Sequence, residues 1–127
     1  MQTEKVKQKI VTWLKDYAQK AHAKGYIIGV SGGVDSGVVS TLCAMTGLKI
    51  LAEEMPIRQK ADQVQGALEH LKFLENNFPN VETKSVDLNE PFEALYKTFD
   101  VDEEKYPAEK LAFANTRSRL RMLTLYY

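Results

Sequence analysis

The chain has 127 residues, enough for one ordinary domain with a core of its own. Its 17 Lys plus Arg balance 17 Asp plus Glu, and this zero net charge argues against a general polyanion binder. With 44% hydrophobic and 27% charged residues, short apolar runs and Cys43 as its single cysteine, the composition excludes a disordered chain, a membrane-spanning helix, an internal disulfide and a Cys/His zinc site. The charged N-terminus has no apolar signal core, so a soluble, cytoplasmic chain with no nucleic-acid or membrane partner is expected.

Val6, Ile10, Leu14, Tyr17 and Ala21 recur at helical spacing, with Val11 and Ala18 beside them. This predicts an amphipathic helix from about Thr3 to Ala23, stopped near Gly25, with Trp13 and Tyr17 on its core-facing side. Tyr26 to Val30 is a continuous apolar run and predicts a buried parallel strand. Ser31 to Ser36 is a glycine-rich turn; Val38 to Met45 then reads as a helix ending near Gly47. Leu48 to Glu53 is a second strand, followed by a loop through Pro56. Ala61 to Asn76, with Val64, Leu68, Leu71 and Leu74, is the next helix, and Val81 to Leu88 a third strand. Asn89 is placed to cap the following helix, where Phe92, Leu95, Tyr96 and Phe99 cluster. An acidic stretch from Asp100 to Glu104, read as a solvated loop rather than a metal site, leads through Pro107 to a last helix from Ala108.

Strands alternating with crossover helices predict an α/β fold: a parallel sheet with helices on both faces, Rossmann-like but narrow at about three strands. The apolar close at Met122 to Tyr127 has no helix-stop signal, so the sequence reads as the N-terminal half of a larger fold or a fragment that needs a partner.

The segment that carries chemistry is Gly29-Val30-Ser31-Gly32-Gly33-Val34-Asp35-Ser36, between a predicted strand and a predicted helix. Its glycines let backbone approach an anion, and the helix beyond supplies free N–H groups and a positive dipole end. Ser31 and Ser36 add hydroxyls. The dinucleotide fingerprint is absent, because Ser31 takes the place of its second glycine. The Walker loop is absent too, because Val34-Asp35-Ser36 replaces Gly-Lys-Ser/Thr. An acid beside bound phosphates calls for a divalent cation between them, which makes Asp35 a candidate magnesium ligand.

Ser31-Gly32-Gly33-Val34-Asp35-Ser36 resembles the Ser-Gly-Gly-x-Asp-Ser loop of the N-type ATP pyrophosphatases, whose members include the NAD, GMP, asparagine and argininosuccinate synthetases. Asn115-Thr116-Arg117-Ser118-Arg119-Leu120-Arg121-Met122 is similar to the Asn-x-Lys-Ala-Arg-x-Arg-Met helix of the NAD synthetases, with Arg117 for Lys and Ser118 for Ala. Met55-Pro56 resembles one bacterial branch of the same family. The resemblance implies that residues 1–127 are the N-terminal part of a single ATP-pyrophosphatase-type α/β domain. It further implies that Gly29 to Ser36 bind ATP, that Asp35 holds Mg2+, and that Arg119 contacts deamido-NAD.

Arg117 and Arg121 share a helical face while Arg119 points about 200° from Arg117, so the three cannot serve one ligand. Arg117 and Arg121 are expected to support structure or an interface. Arg58 and Gln59, just past the second strand, are candidate ATP contacts, and an ordinary polar loop accounts for them equally well. His22 and His70 have no partner constellation in sequence. Cys43 is expected to pack as a small hydrophobe.

The reaction implied by the resemblance is ATP-dependent amidation of deamido-NAD to NAD with ammonia, through an acyl adenylate, in a protein that is commonly a homodimer. The 127-residue chain by itself is expected to be an incomplete, inactive portion. Two alternatives stand beside it: another ligase of this type, such as the ATP domain of GMP synthetase, and a non-catalytic nucleotide-binding or assembly module.

Overall fold

The computed structural model describes all 127 residues. The elements run α1 (Thr3–Lys20), β1 (Gly25–Gly29), α2 (Val34–Ala44), β2 (Lys49–Glu54), α3 (Ala61–Asn77), β3 (Val81–Ser85), α4 (Asn89–Thr98) and α5 (Ala108–Tyr126). The strands form one parallel sheet in the order β1-β2-β3, with Ile27 opposite Leu51 and Leu51 opposite Glu82. One edge of β1 carries no partner strand.

Two cores sit on opposite faces, as side-chain alternation along a strand requires. On the first face Val30, Ile50, Ala52 and Val81 meet Cys43 and Ala44 of α2 and Ala67, Leu71 and Leu74 of α3. The α1 helix lies outside α2 and adds half-buried Leu14, while the Tyr26 hydroxyl donates to the Leu14 carbonyl at 2.8 Å. On the second face Met55, Ile57, Leu88, Phe92 and Phe113 join β2's far end to α4 and α5. A Cβ on Gly29 would point to this side, 3.1 Å from Met55 Cε and 4.0 Å from Leu125 Cδ1, so α5 packs directly on β1 there. The α/β class with helices on both faces is thus observed.

Several local expectations are corrected. The third strand ends at Ser85, because the chain turns away to bury Leu88 against α4. Leu88, not Asn89, is the N-cap of α4; the Asn89 side chain instead accepts the Arg58 N–H at 2.7 Å and donates to Asp87 Oδ1 at 2.8 Å. Trp13 and Tyr17 do not face the core. They are 59% and 55% exposed and stack on each other at 5.2 Å, because the slim stripe of Val11 and Ala18 makes the buried contact. Phe99 keeps to the α4 cluster through an edge-on contact with Phe113 at 6.2 Å but is 60% exposed at the helix end. The helix after the glycine-rich turn begins four residues earlier than expected, so Val34, Asp35 and Ser36 form its first turn.

Candidate nucleotide site

The loop between β1 and α2 is closed by its two serines. Ser36 Oγ accepts the Ser31 N–H at 3.0 Å, lies 3.0 Å from Ser31 Oγ and reaches the Gly33 carbonyl at 3.2 Å. The Gly33 N–H in turn points to Ser31 Oγ at 3.3 Å. These bonds close the turn on itself. Gly33 is the N-cap of α2 and no side chain caps the helix, so its first N–H groups stay free for an anion. Gly32 sits at φ +83°, a left-handed conformation that favours glycine.

The loop opens on a cavity of about 520 Å³ at the C-terminal ends of the strands, where open parallel sheets bind ligands. Gly29, Val30, Ser31 and Ser36 line it, together with Gln59 just before α3 and Gln63 in the first turn of α3. The α5 helix closes the remaining side with Ser118 and Arg121 among others. Gly32, Gly33 and Val34 face a second groove between the helices, which His70 and Lys7 also line. Asp35 is exposed in the first turn of α2 and lines neither.

The structure separates the other expected residues. Gln59 reaches the cavity, but Arg58 does not. Its Nε and Nη2 donate to the Glu93 carboxylate at 2.6 and 3.0 Å, and its guanidinium lies over the Tyr96 ring at 4.4 Å. This pairing raises the Arg58 pKa and lowers that of Glu93. On α5, Arg119 is exposed and outside the cavity lining, flanking Ser118 by one residue. Arg121 donates Nε–H to the Met55 carbonyl at 3.0 Å and also lines the cavity; burial, and secondarily Arg117, push its pKa down.

Two further residues had no visible sequence signal. Glu54 lines the cavity, is buried, and accepts the Ser85 hydroxyl at 2.8 Å through Oε1, while its Oε2 has no protein partner. His70 of α3 lies 2.8 Å from Ser40 Oγ of α2, beneath the loop. Both placements depend on which strand and helix ends meet in space, which spacing along the chain does not reveal.

The three-stranded parallel sheet with helices on both faces and a serine-glycine loop at a helix N-terminus places the chain in the α/β class. The chain belongs to the NAD synthase family: the family's profile matches residues 6–127. It is 37% identical over 125 residues to the NH3-dependent NAD+ synthetase of Carboxydothermus hydrogenoformans, covering 98% of this chain and 49% of that one. The solved NMN synthetase of Francisella tularensis superposes with a TM-score of 0.83 at 31% identity, over 99% of this chain and 49% of that one. A glutamine-dependent NAD+ synthetase from Acinetobacter baumannii, solved with ADP, shares the fold with a TM-score of 0.78 at 20% identity, over 99% of this chain and 23% of that one. The chain spans about half the length of the curated relatives it matches. No helix is long and apolar enough to cross a membrane.

Proposed function

We propose that this chain supplies the ATP-pyrophosphate end of a ligase that amidates deamido-NAD to NAD with ammonia. The observation that carries the reading is the self-closed Ser31–Ser36 loop opening on the strand-end cavity, in a chain of the NAD synthase family. The β- and γ-phosphates rest against Ser31, Gly32, Gly33 and Ser36, taking the free N–H groups of α2, and Gly29, Val30 and Val34 shape the loop around them. The nicotinate carboxylate of deamido-NAD attacks the α-phosphorus, the bond to the bridging oxygen breaks, and pyrophosphate leaves with that electron pair. Ammonia then attacks the acyl adenylate carbonyl, loses a proton, and expels AMP to leave NAD. The protein aligns the reactants and offsets charge on the leaving group, and no side chain need act as a nucleophile.

Asp35 fits a magnesium ion in part. Its carboxylate is exposed at the helix start with no hydrogen-bond partner in the protein, yet nowhere do three His, Cys, Asp or Glu side chains come together to hold a metal. Mg2+ at Asp35 would therefore draw most of its shell from phosphates and water, and when bound it neutralises phosphate charge. Arg119, outside the cavity, is assigned to the dinucleotide. The Francisella likeness favours a second reading in which the acceptor is the corresponding mononucleotide.

Calorimetric titration of ATP with magnesium into the chain, beside Asp35→Ala, tests the reading. Binding that weakens in the variant supports both the loop and the metal role. A folded chain that binds neither ATP nor pyrophosphate overturns it. The 127-residue chain is expected to show no steady formation of NAD or NMN by itself; turnover by the isolated chain would overturn that assignment of an incomplete unit.

A further inference from the structure

The segment between β2 and α3 is built to face two ways. Ile57 is fully buried in the second core with Phe92, and Arg58 turns toward α4, whereas Pro56 and Gln59 on either side face the cavity. The turn that sends Arg58 away has φ 49°, a conformation strained for a residue with a Cβ. It persists because α4 over-determines it. The Arg58 N–H donates to Asn89 Oδ1 at 2.7 Å, and its side chain makes a two-pronged pair with Glu93. The guanidinium carbon stands 4.4 Å from the Tyr96 ring centre and 5.1 Å from that of Phe92. A planar fork pinned on a carboxylate and stacked on aromatic rings is a geometry that lysine cannot reproduce.

We propose that Arg58 is a positioning residue: its clamp on Glu93 holds the Pro56–Gln59 wall so that Gln59 touches the nucleoside part of a bound nucleotide. The inference rests on the nucleotide reading of the cavity. Ser31, Ser36, Pro56 and Gln59 all line that one cavity, so a nucleotide with its phosphates at the serines can lay its base and sugar against this wall. The Gln59 amide offers both a donor and an acceptor to such neutral groups. The clamp thereby makes α4, which does not line the cavity, a determinant of nucleotide affinity.

The test is calorimetry of Mg-ATP and of magnesium pyrophosphate with the wild-type chain, Arg58→Ala, Glu93→Ala, Gln59→Ala and the double variant R58A/Q59A, each confirmed folded by its thermal melt. Each single variant is expected to weaken ATP about tenfold, the worth of one hydrogen bond, and to leave pyrophosphate within about twofold. The double variant is expected to bind ATP no more weakly than Gln59→Ala, because clamp and contact act in series. If Arg58 itself touched ATP, Glu93→Ala would free the guanidinium and leave ATP affinity unchanged or tighter, which overturns the proposal. Equal loss of ATP and pyrophosphate also overturns it, since the effect would then pass through the loop or the whole fold. Should the wild-type chain bind neither ligand, the nucleotide reading falls and Gln59's assignment with it. The clamp is then judged by amide hydrogen exchange at Ile57 to Lys60: faster exchange in Glu93→Ala supports it, and unchanged exchange overturns it.

Discussion

Gly32 of the loop between β1 and α2 lies so close to α3 that a Cβ there would stand 2.5 Å from the carbonyl oxygen of Gln63 and 3.1 Å from the Ala67 nitrogen. Both are backbone atoms of a packed helix and neither can swing aside. With φ at +83°, two independent constraints demand glycine at one position. Gly32→Ala is expected to destabilise the chain by at least ~1–3 kcal/mol from backbone strain alone and to abolish ATP binding. Urea unfolding and calorimetry check this; a variant as stable as the wild type would show that the loop is not pressed on α3.

Ser36 holds the loop from one hydroxyl, accepting the Ser31 N–H and reaching the Gly33 carbonyl. Ser36→Ala removes these links and the 3.0 Å contact with Ser31 Oγ at a half-buried site, so stability should fall by about 1–2 kcal/mol. Pyrophosphate affinity should fall further than stability, since the loop loses its preset shape and one of its donors. Equal pyrophosphate affinity in wild type and variant would contradict a preorganised loop.

Ser40 is fully buried and donates to the Ser36 carbonyl at 2.6 Å, which commits its one proton. The 2.8 Å contact with His70 is then made by Nε2–H as donor. Burial lowers the His70 pKa from its ordinary value of 6.5. The unfolded chain therefore binds this proton more readily than the folded one. His70's contribution to stability is complete above the unfolded value and is lost as pH falls through it toward the lower folded value. Melting temperature is expected to drop between about pH 7.5 and about pH 5.5, and less steeply in His70→Gln, which keeps an amide donor in place of Nε2. The same slope in both proteins would assign the titration to another group.

Phe113 is the hub of the second core. It is 7% exposed and meets Phe92, Tyr96 and Phe99 edge-on, with ring centres 5.2, 5.1 and 6.2 Å away. Phe113→Ala is expected to cost about 3–5 kcal/mol and to loosen α5 from α4, with weaker ATP binding because α5 supplies one side of the cavity. Thermal melts and titration of the same sample test both effects. Loss of ATP affinity with an unchanged melt would deny the packing role.

Much of this molecule was legible in order along the chain. Alternating strands and crossover helices announced the parallel sheet, because period and punctuation are local signals. Ser31 to Ser36 announced a tight turn between a strand and a helix, because glycines and hydroxyls in that setting are local turn chemistry wherever the rest of the chain lies. Tertiary structure decided what lies across the gaps. The α1 stripe chose Val11 and Ala18 over Trp13 and Tyr17, since only small side chains let one helix settle close on another. In sequence Arg58 fitted a ligand contact and an ordinary polar loop equally well; the fold sets its guanidinium on Glu93 and Tyr96, more than thirty positions away. Glu54, His70 and Arg121 took their roles in the same way, from neighbours supplied by other elements. Local sequence dictates backbone periodicity and turn chemistry, whereas a side chain's partner is chosen by long-range packing that single-chain spacing does not encode.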